Sequence, residues 1–247
     1  MAHYLITGSS SGIGAALSKK ITAKGHQVSG IARRKRLLAE LSKQNKAFKG
    51  YSADVGDPGA LMTAINEAKA NSGPIDVAIL NAGIYQPQDG TKIDPAVYEH
   101  HMRINYLGVV NALAGLVPDM ISAGRGHIAI VSSVAGWRGL PKSAAYGPTK
   151  AALISLAESL YFDLVPRGIK LQIICPGFVE SEATAVNDFE MPDLISCDTA
   201  AIEIINGMKT NVFSINFPKS FTRKMGLLRF LPDRLFFRLV GKQTGAF

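Results

Sequence analysis

The stretch Thr7-Gly8-Ser9-Ser10-Ser11-Gly12-Ile13-Gly14 decides the fold. It joins a short apolar run, residues 4–7, to a segment of helical period, residues 14–24. Glycines at such a turn let the chain reverse tightly, approach a ligand with bare backbone, and pack a new helix against the strand it has left. The N-terminus of that helix carries unpaired N–H groups and the positive end of a dipole, which favours an anion such as a pyrophosphate. An ordinary strand-to-helix corner uses the same glycines. The position after the first strand of a βαβ unit is what favours a dinucleotide.

Working outward, the alternation repeats. Residues 27–32, 47–53, 77–80, 127–132, 170–175 and 212–217 are short apolar runs that read as strands. Residues 35–43, 58–71, 96–123 and 144–165 read as helices. This order predicts an α/β fold, a doubly wound parallel sheet with helices on both faces. Several runs are apolar almost throughout, as strands covered on both faces should be. No repeat, low-complexity segment or linker divides the chain. A single domain over residues 1–247 is expected, with a basic, apolar extension at about 219–247.

Composition narrows the function. Hydrophobic residues make up 47% and charged residues 19%, which excludes intrinsic disorder. Two cysteines, Cys175 and Cys197, are too few for a disulfide framework or an all-cysteine zinc site. No metal is expected, and a reducing, cytoplasmic location is. No apolar run reaches the roughly 18 residues of a membrane span, and the chain opens directly into its first strand, so no secretory signal is expected. The net charge is +8, of which residues 219–247 carry +6. The main body is nearly neutral and has no nucleic-acid motif, so no nucleic acid is expected as partner.

The second strand should end near a bound ribose. An acid there would select NAD. The chain has Ala32-Arg33-Arg34-Lys35-Arg36 instead. Guanidinium groups pair well with a phosphate dianion, so NADP is expected over NAD. A basic first helical turn opposes the helix dipole unless an anion lies nearby.

Further along, Ala145-Tyr146-Gly147-Pro148-Thr149-Lys150 opens a long helix. Tyr146 and Lys150, four apart, share one helix face. An ammonium beside a phenol favours the phenolate and is expected to lower the Tyr146 pKa, so that it exchanges a proton near neutrality. Ser133 closes the preceding strand, where its hydroxyl can hold a substrate oxygen. Taken alone, a Tyr-x-x-x-Lys pair is a common surface pattern.

Thr-Gly-x-x-x-Gly-x-Gly at the start, Asn81-Ala82-Gly83 after the fourth strand, Ser133, Tyr146 and Lys150 together make a distinctive set. The chain resembles the short-chain dehydrogenase/reductase family, in its compact single-domain, Rossmann-like branch, from the first strand to about Phe217. The resemblance implies a catalytic acid/base at Tyr146 and ribose contacts from Lys150, which also lowers the tyrosine pKa. It implies a carbonyl-orienting Ser133, and a helix asparagine, Asn105, holding a water in the proton relay. Gly8, Ser10, Ser11, Gly12, Ile13 and Gly14 would form the pyrophosphate turn, and Arg33 and Arg34 the 2′-phosphate site. Asp54 and Val55 would flank the adenine, with Asn81, Ala82 and Gly83 supporting the sheet beside the cofactor. Pro176, Gly177 and Val179 would flank the nicotinamide, and Ser181 would replace the threonine that often contacts the carboxamide.

The activity implied is hydride transfer between NADP(H) and a small-molecule carbonyl or alcohol. A non-catalytic NADP-binding regulator on the same fold is the alternative from another class. The intact Ser133, Tyr146 and Lys150 set argues against it. Relatives commonly form homodimers or homotetramers through the helix that contains residues 151–164.

Other features have plainer readings. His100 and His101 are expected to form a solvated helix pair, and Cys175 a small buried hydrophobe. Residues 177–198, irregular and rich in acids (Glu180, Glu182, Asp188, Glu190), follow a strand and suggest a lid over the substrate. In the extension, Pro232 and Asp233 separate two short helices too small to stand alone in water. Docking on the body or a neighbouring subunit is the reading preferred. Weak contact with a membrane surface, serving a lipophilic carbonyl substrate, is its rival.

Overall fold

The computed structural model describes residues 1–186 and 191–245. Its elements run β1 (His3–Thr7), α1 (Gly12–Thr22), β2 (Gln27–Ala32), α2 (Lys35–Gln44), β3 (Phe48–Ser52), α3 (Pro58–Ser72), β4 (Val77–Leu80), α4 (Pro95–His101) and α5 (Gly108–Ala123). They continue with β5 (Gly126–Val131), α6 (Tyr146–Leu164), β6 (Ile169–Pro176), α7 (Cys197–Met208), β7 (Ser214–Phe217), α8 (Lys219–Leu228) and α9 (Asp233–Thr244).

The seven strands form one sheet in the order β3-β2-β1-β4-β5-β6-β7, every neighbouring pair parallel. Strand residues alternate between two cores, as the two-residue period requires. Leu5, Ala78, Ile128 and Ile173 face Leu61, Ile65, Leu116 and Leu153 of α3, α5 and α6. Ile6, Ile79, Ala129 and Ile174 face Leu17, Leu38 and Ile204 of α1, α2 and α7. The order reverses between β1 and β4, whose ends Thr7 and Leu80 lie side by side. A crevice opens at such a reversal, beyond the carboxyl ends of the strands.

Local chemistry fixes the helix starts. Asp57 accepts from the N–H groups of Gly59 and Ala60, both at 3.0 Å, ahead of Pro58 in the first turn of α3. Asp94 does the same for α4, accepting from Ala96 N at 3.0 Å ahead of Pro95. In each case an acid satisfies orphan donors and proline fits where no N–H is needed.

Four sequence expectations need correction. The predicted helix at 96–123 is interrupted by a π-helical turn, Met102–Leu107, between α4 and α5. The run Pro95–Ala123 is also long and apolar enough to cross a membrane by length and composition. Its α5 part packs on α3, β4 and β5, so the apolarity is that of a core helix. The irregular stretch ends earlier than expected, because α7 begins at Cys197 behind Ser196, whose hydroxyl accepts from Thr199 N at 3.2 Å. Asn187, Asp188 and Glu190 of that stretch lie outside the described residues. Finally, β5 stops at Val131, and Ser133 caps a short 3-10 turn, Val134–Gly136, rather than ending the strand.

The extension docks on the body. Phe221 and Met225 of α8 form a small core with Val134, joined by Trp137, Leu140 and Phe178. The Arg138 guanidinium donates to Leu231 O at 2.6 Å, pairs with Asp233, and lies 3.9 Å over the Phe236 ring. Phe236, in α9, is fully buried.

Candidate active site

The carboxyl ends of the central strands surround a cleft of about 520 Å³, inside the roughly 300–1,000 Å³ range of small-molecule sites. It is lined by Gly8, Ser10, Ser11, Gly12, Ile13, Arg33, Arg34, Asp54, Val55, Asn81, Ala82 and Gly83. The other wall carries Ser133, Tyr146, Lys150, Pro176, Gly177, Val179 and Ser181. Of the residues predicted from sequence, only Gly14 and Asn105 stand behind this lining.

One end is built from bare backbone. Gly8 has φ +71°, and a Cβ on Gly14 would lie 2.2 Å from the Gly8 carbonyl oxygen. Only glycine permits that approach. Asn81 ties β4 to the turn, its Nδ2 donating to Thr7 O at 3.1 Å. Thr7 Oγ1 accepts in return from Asn81 N at 3.0 Å and Ala82 N at 3.1 Å. The asparagine therefore holds the sheet ends that frame the cradle.

Beside this cradle, no carboxylate ends β2. Arg33 and Arg34 are exposed there, while Asp54 accepts from Gly56 N at 2.9 Å. Arg34 Nη1 donates to both carboxylate oxygens of Glu182, at 2.9 and 2.8 Å, and its Nε donates to Ser10 Oγ at 3.2 Å. Arg34 also donates to Ser11 Oγ. Glu182 thus closes across the cleft from the loop after β6.

At the far end stand Ser133, Tyr146 and Lys150. Ser133 Oγ accepts from Ala135 N at 3.2 Å and donates to Pro176 O at 3.5 Å. Lys150 is buried; its Nζ donates to Val131 O at 2.9 Å and lies 5.5 Å from the Tyr146 ring centre. The expectation that Lys150 pulls the Tyr146 pKa down is not met by the protein groups alone. Burial pushes the phenol up to about 12, against the lowering effect of the Ser133 hydroxyl. Burial also pulls the Lys150 ammonium down to about 8. Desolvation outweighs pairing at both groups.

Several supporting residues escaped the sequence reading. Ser132 Oγ donates to Lys150 O at 2.7 Å and fastens β5 to α6. Thr149 Oγ1 donates to Tyr146 O at 2.7 Å and accepts from Asn105 Nδ2 at 3.0 Å. Asn105 is fully buried, with Ile84 N donating to its Oδ1 at 2.7 Å. Its side chain is occupied in joining α5's approach, Ile84 and α6. Thr184 Oγ1 accepts from Ser181 N at 2.9 Å and donates to Val179 O at 2.6 Å, bracing the loop that bears Ser181. The Tyr85 ring meets Tyr146 edge-on at 5.1 Å. The first two were signalled by their place beside Ser133 and inside the Tyr-x-x-x-Lys turn. Tyr85 and Thr184 had no such signal.

His101 departs from its expected solvated state. It is buried, bonded to Val97 O at 2.8 Å, and accepts from Gln86 N at 3.2 Å. Among the described residues, no group of three or more His, Cys, Asp or Glu is placed to hold a metal.

Comparison with known proteins gives this geometry a family. The sequence profile of short chain dehydrogenases matches residues 2–191. An uncharacterised oxidoreductase of Myxococcus xanthus is 32% identical over 236 residues, covering 94% of this chain and 93% of that protein. A 3-dehydrosphinganine reductase of Arabidopsis thaliana is 34% identical over 85% of this chain and 63% of its own length. A short chain dehydrogenase from Burkholderia cenocepacia, solved in complex with NADP, shares the fold with TM-score 0.84 at 23% identity, covering 97% of both chains. A short-chain dehydrogenase from Sphingobium yanoikuyae, solved with NADPH, does so with TM-score 0.79 at 24% identity over 94% of this chain and 97% of that one. The protein belongs to the short-chain dehydrogenase family of oxidoreductases, and its sheet is the parallel, doubly wound sheet of that fold.

Proposed function

We propose that this protein is an NADP(H)-dependent oxidoreductase that interconverts a carbonyl and an alcohol, with Tyr146 as acid/base. The observation that carries the reading is the gathering of Ser133, Tyr146 and Lys150 at one end of a cleft whose other end is the Gly8–Gly14 cradle. The residues fit the whole length of a nicotinamide dinucleotide. The cradle and the N-terminus of α1 suit the pyrophosphate, Asp54 and Val55 the adenine side, and Pro176 to Val179 the nicotinamide side. Bound there, the nicotinamide gives or takes the hydride and, when oxidised, adds a positive charge.

NADP rather than NAD follows from Arg33 and Arg34 where an acid would bind a ribose hydroxyl. In the reductive direction Tyr146 delivers its hydroxyl proton to the substrate oxygen. Its high pKa keeps it protonated at neutral pH, so the donor form is the resting form. Ser133 Oγ holds the same oxygen and supports the negative charge that develops on it. Lys150 is the cation that compensates Tyr146 when it has lost its proton. Asn105, its side chain bonded to Ile84 and Thr149, braces the turn that carries Tyr146 and Lys150.

The substrate class is a lipophilic carbonyl. Phe178 lines the cleft, and Val134, Trp137, Leu140 and Phe221 pack behind it as a small apolar core. The Arabidopsis relative is named a 3-dehydrosphinganine reductase. Exposed Phe162 beside Tyr161 on α6 supports a homodimer or homotetramer closing on that helix. The free cysteines Cys175 and Cys197 suit a reducing cytoplasm. Cofactor oxidation should be measured against short and long-chain ketones, acyl thioesters and sugars, with NADPH and NADH in parallel. Turnover only with NADH, or turnover unaffected by Tyr146→Phe, would contradict the assignment.

A further inference from the structure

We infer that the outer face of α8 and α9 is a docking surface for an anionic lipid bilayer. The inner faces of these helices are already satisfied. Phe221, Met225, Phe236 and Val240 are buried against the body. The outer face is not. Phe230 is 80% exposed, Leu227 73% and Phe237 58%.

These side chains sit among cations. Arg223, Lys224, Arg229, Arg234, Arg238 and Lys242 are all exposed on the same two helices and their link. The one acid of the segment, Asp233, is paired with Arg138. Large apolar side chains interleaved with bases describe a helix lying in a headgroup layer, its rings at the acyl boundary and its cations on lipid phosphates. Charge also selects among occupants. A second copy docked through this face by a two-fold axis would set six cations against six, which like-charge repulsion opposes. An anionic bilayer meets the same cations with opposite charge.

The geometry links this surface to the cleft. The side of α8 opposite the exposed face supplies Phe221 and Met225 to the small core behind Phe178, which lines the cleft. One helix diameter, roughly 10–12 Å, separates the bilayer from that core. A membrane-held protein would thus carry its cleft close to the source of a lipid ketone. That last step rests on the proposed activity; the docking itself does not.

Sedimentation with large vesicles of phosphatidylcholine, with and without phosphatidylglycerol, tests the docking without any substrate. The full chain should bind the anionic vesicles at low salt, bind neutral ones weakly, and be released by high salt. Phe230→Ser together with Phe237→Ser should cut binding at least about tenfold. Arg223→Glu with Arg238→Glu should abolish it. Since all four side chains are exposed, thermal melting should stay within a few degrees of wild type, which separates lost docking from lost fold. Absence of binding to anionic vesicles at low salt overturns the inference. So does a self-associated form that the Phe230 and Phe237 substitutions disperse without any vesicle binding.

Discussion

Arg34 holds both carboxylate oxygens of Glu182 at 2.9 and 2.8 Å, across the mouth of the cleft. The carboxylate occupies the guanidinium that the 2′-phosphate of NADP would need. Both side chains are well exposed, 43% and 68%, and such pairs contribute about 0–1 kcal/mol. A phosphate dianion held by charge-assisted hydrogen bonds, each about 1.5–3 kcal/mol, displaces it. Glu182→Gln should therefore tighten NADPH binding by no more than about fivefold. Arg34→Ala should weaken it roughly 10- to 100-fold. NADH binding should change little in either variant. Fluorescence titration of the two cofactors measures both; equal loss of NADH affinity in Arg34→Ala would refute the 2′-phosphate assignment.

Removing the Tyr146 hydroxyl isolates the proton step. Tyr146→Phe keeps the ring contact with Tyr85, so cofactor binding should persist while turnover falls at least about 100-fold. The pH profiles should have opposite slopes. Reduction needs the phenol, held protonated by a pKa near 12, so its rate should stay level through neutrality and decline only in strong base. Oxidation needs the phenolate, so its rate should climb with pH. Parallel profiles in the two directions would remove Tyr146 from the role.

The cofactor cradle was legible because its residues are consecutive. Gly8, Gly12 and Gly14 answer to local backbone geometry, and the Tyr146 to Lys150 spacing to one helical turn. What the sequence hid depends on long-range contact. Arg34 meets Glu182 across 148 positions and Arg138 meets Asp233 across 95, and no local pattern encodes either. The π turn at Asn105 was hidden for a different reason. Its apolar period continues through Pro95–Ala123, and the extra residue is imposed by packing against Ile84 and Thr149. In α7, Ala200, Ile204 and Met208 do follow helical spacing. The acidic loop before it obscured its start. Burial also reversed one sign: it raised the Tyr146 pKa where pairing with Lys150 alone predicts a fall.

Lys150 carries a stability cost that its replacement should reveal. Burial lowers it from 10.5 to about 8. Between those values the unfolded chain binds a proton that the folded chain does not, so stability rises with pH across that window and is level below it. The cost below pH 8 is about 3 kcal/mol. Lys150→Met removes it but leaves Val131 O without its donor, roughly 1–2 kcal/mol. The variant without cofactor should melt a few degrees higher at pH 7, and the rise in melting temperature between pH 8 and 10 should vanish. Turnover should drop sharply, since Lys150 compensates the Tyr146 phenolate. A variant that melts below wild type at pH 7 would show that its packing outweighs its desolvation.

Arg138 is the fastener of the C-terminal helices. It donates to Leu231 O at 2.6 Å, pairs with Asp233, and covers the buried Phe236 ring at 3.9 Å. Its side chain is only 18% exposed, so its contacts with Leu231 O and the Phe236 ring are weakly screened, whereas Asp233, 84% exposed, adds little. Losing a charged hydrogen bond and a cation–π contact costs roughly 2–4 kcal/mol together. Arg138→Ala should lower the melting temperature by roughly 5–10 °C. Arg138→Lys should recover only part of this, because a single ammonium cannot serve Leu231, Asp233 and Phe236 together. Ending the chain before Phe221 should do more. It strips α8 from Val134, Trp137 and Phe178, opening to water the small core behind the cleft. KM for an apolar ketone should rise, and affinity for NADPH should fall as well, because Phe221 packs on Gly177 at the nicotinamide side of the cleft. Calorimetry and substrate titration of the three variants check the assignment. An unchanged melting temperature in Arg138→Ala would mean that Phe221, Met225 and Phe236 hold the extension without it.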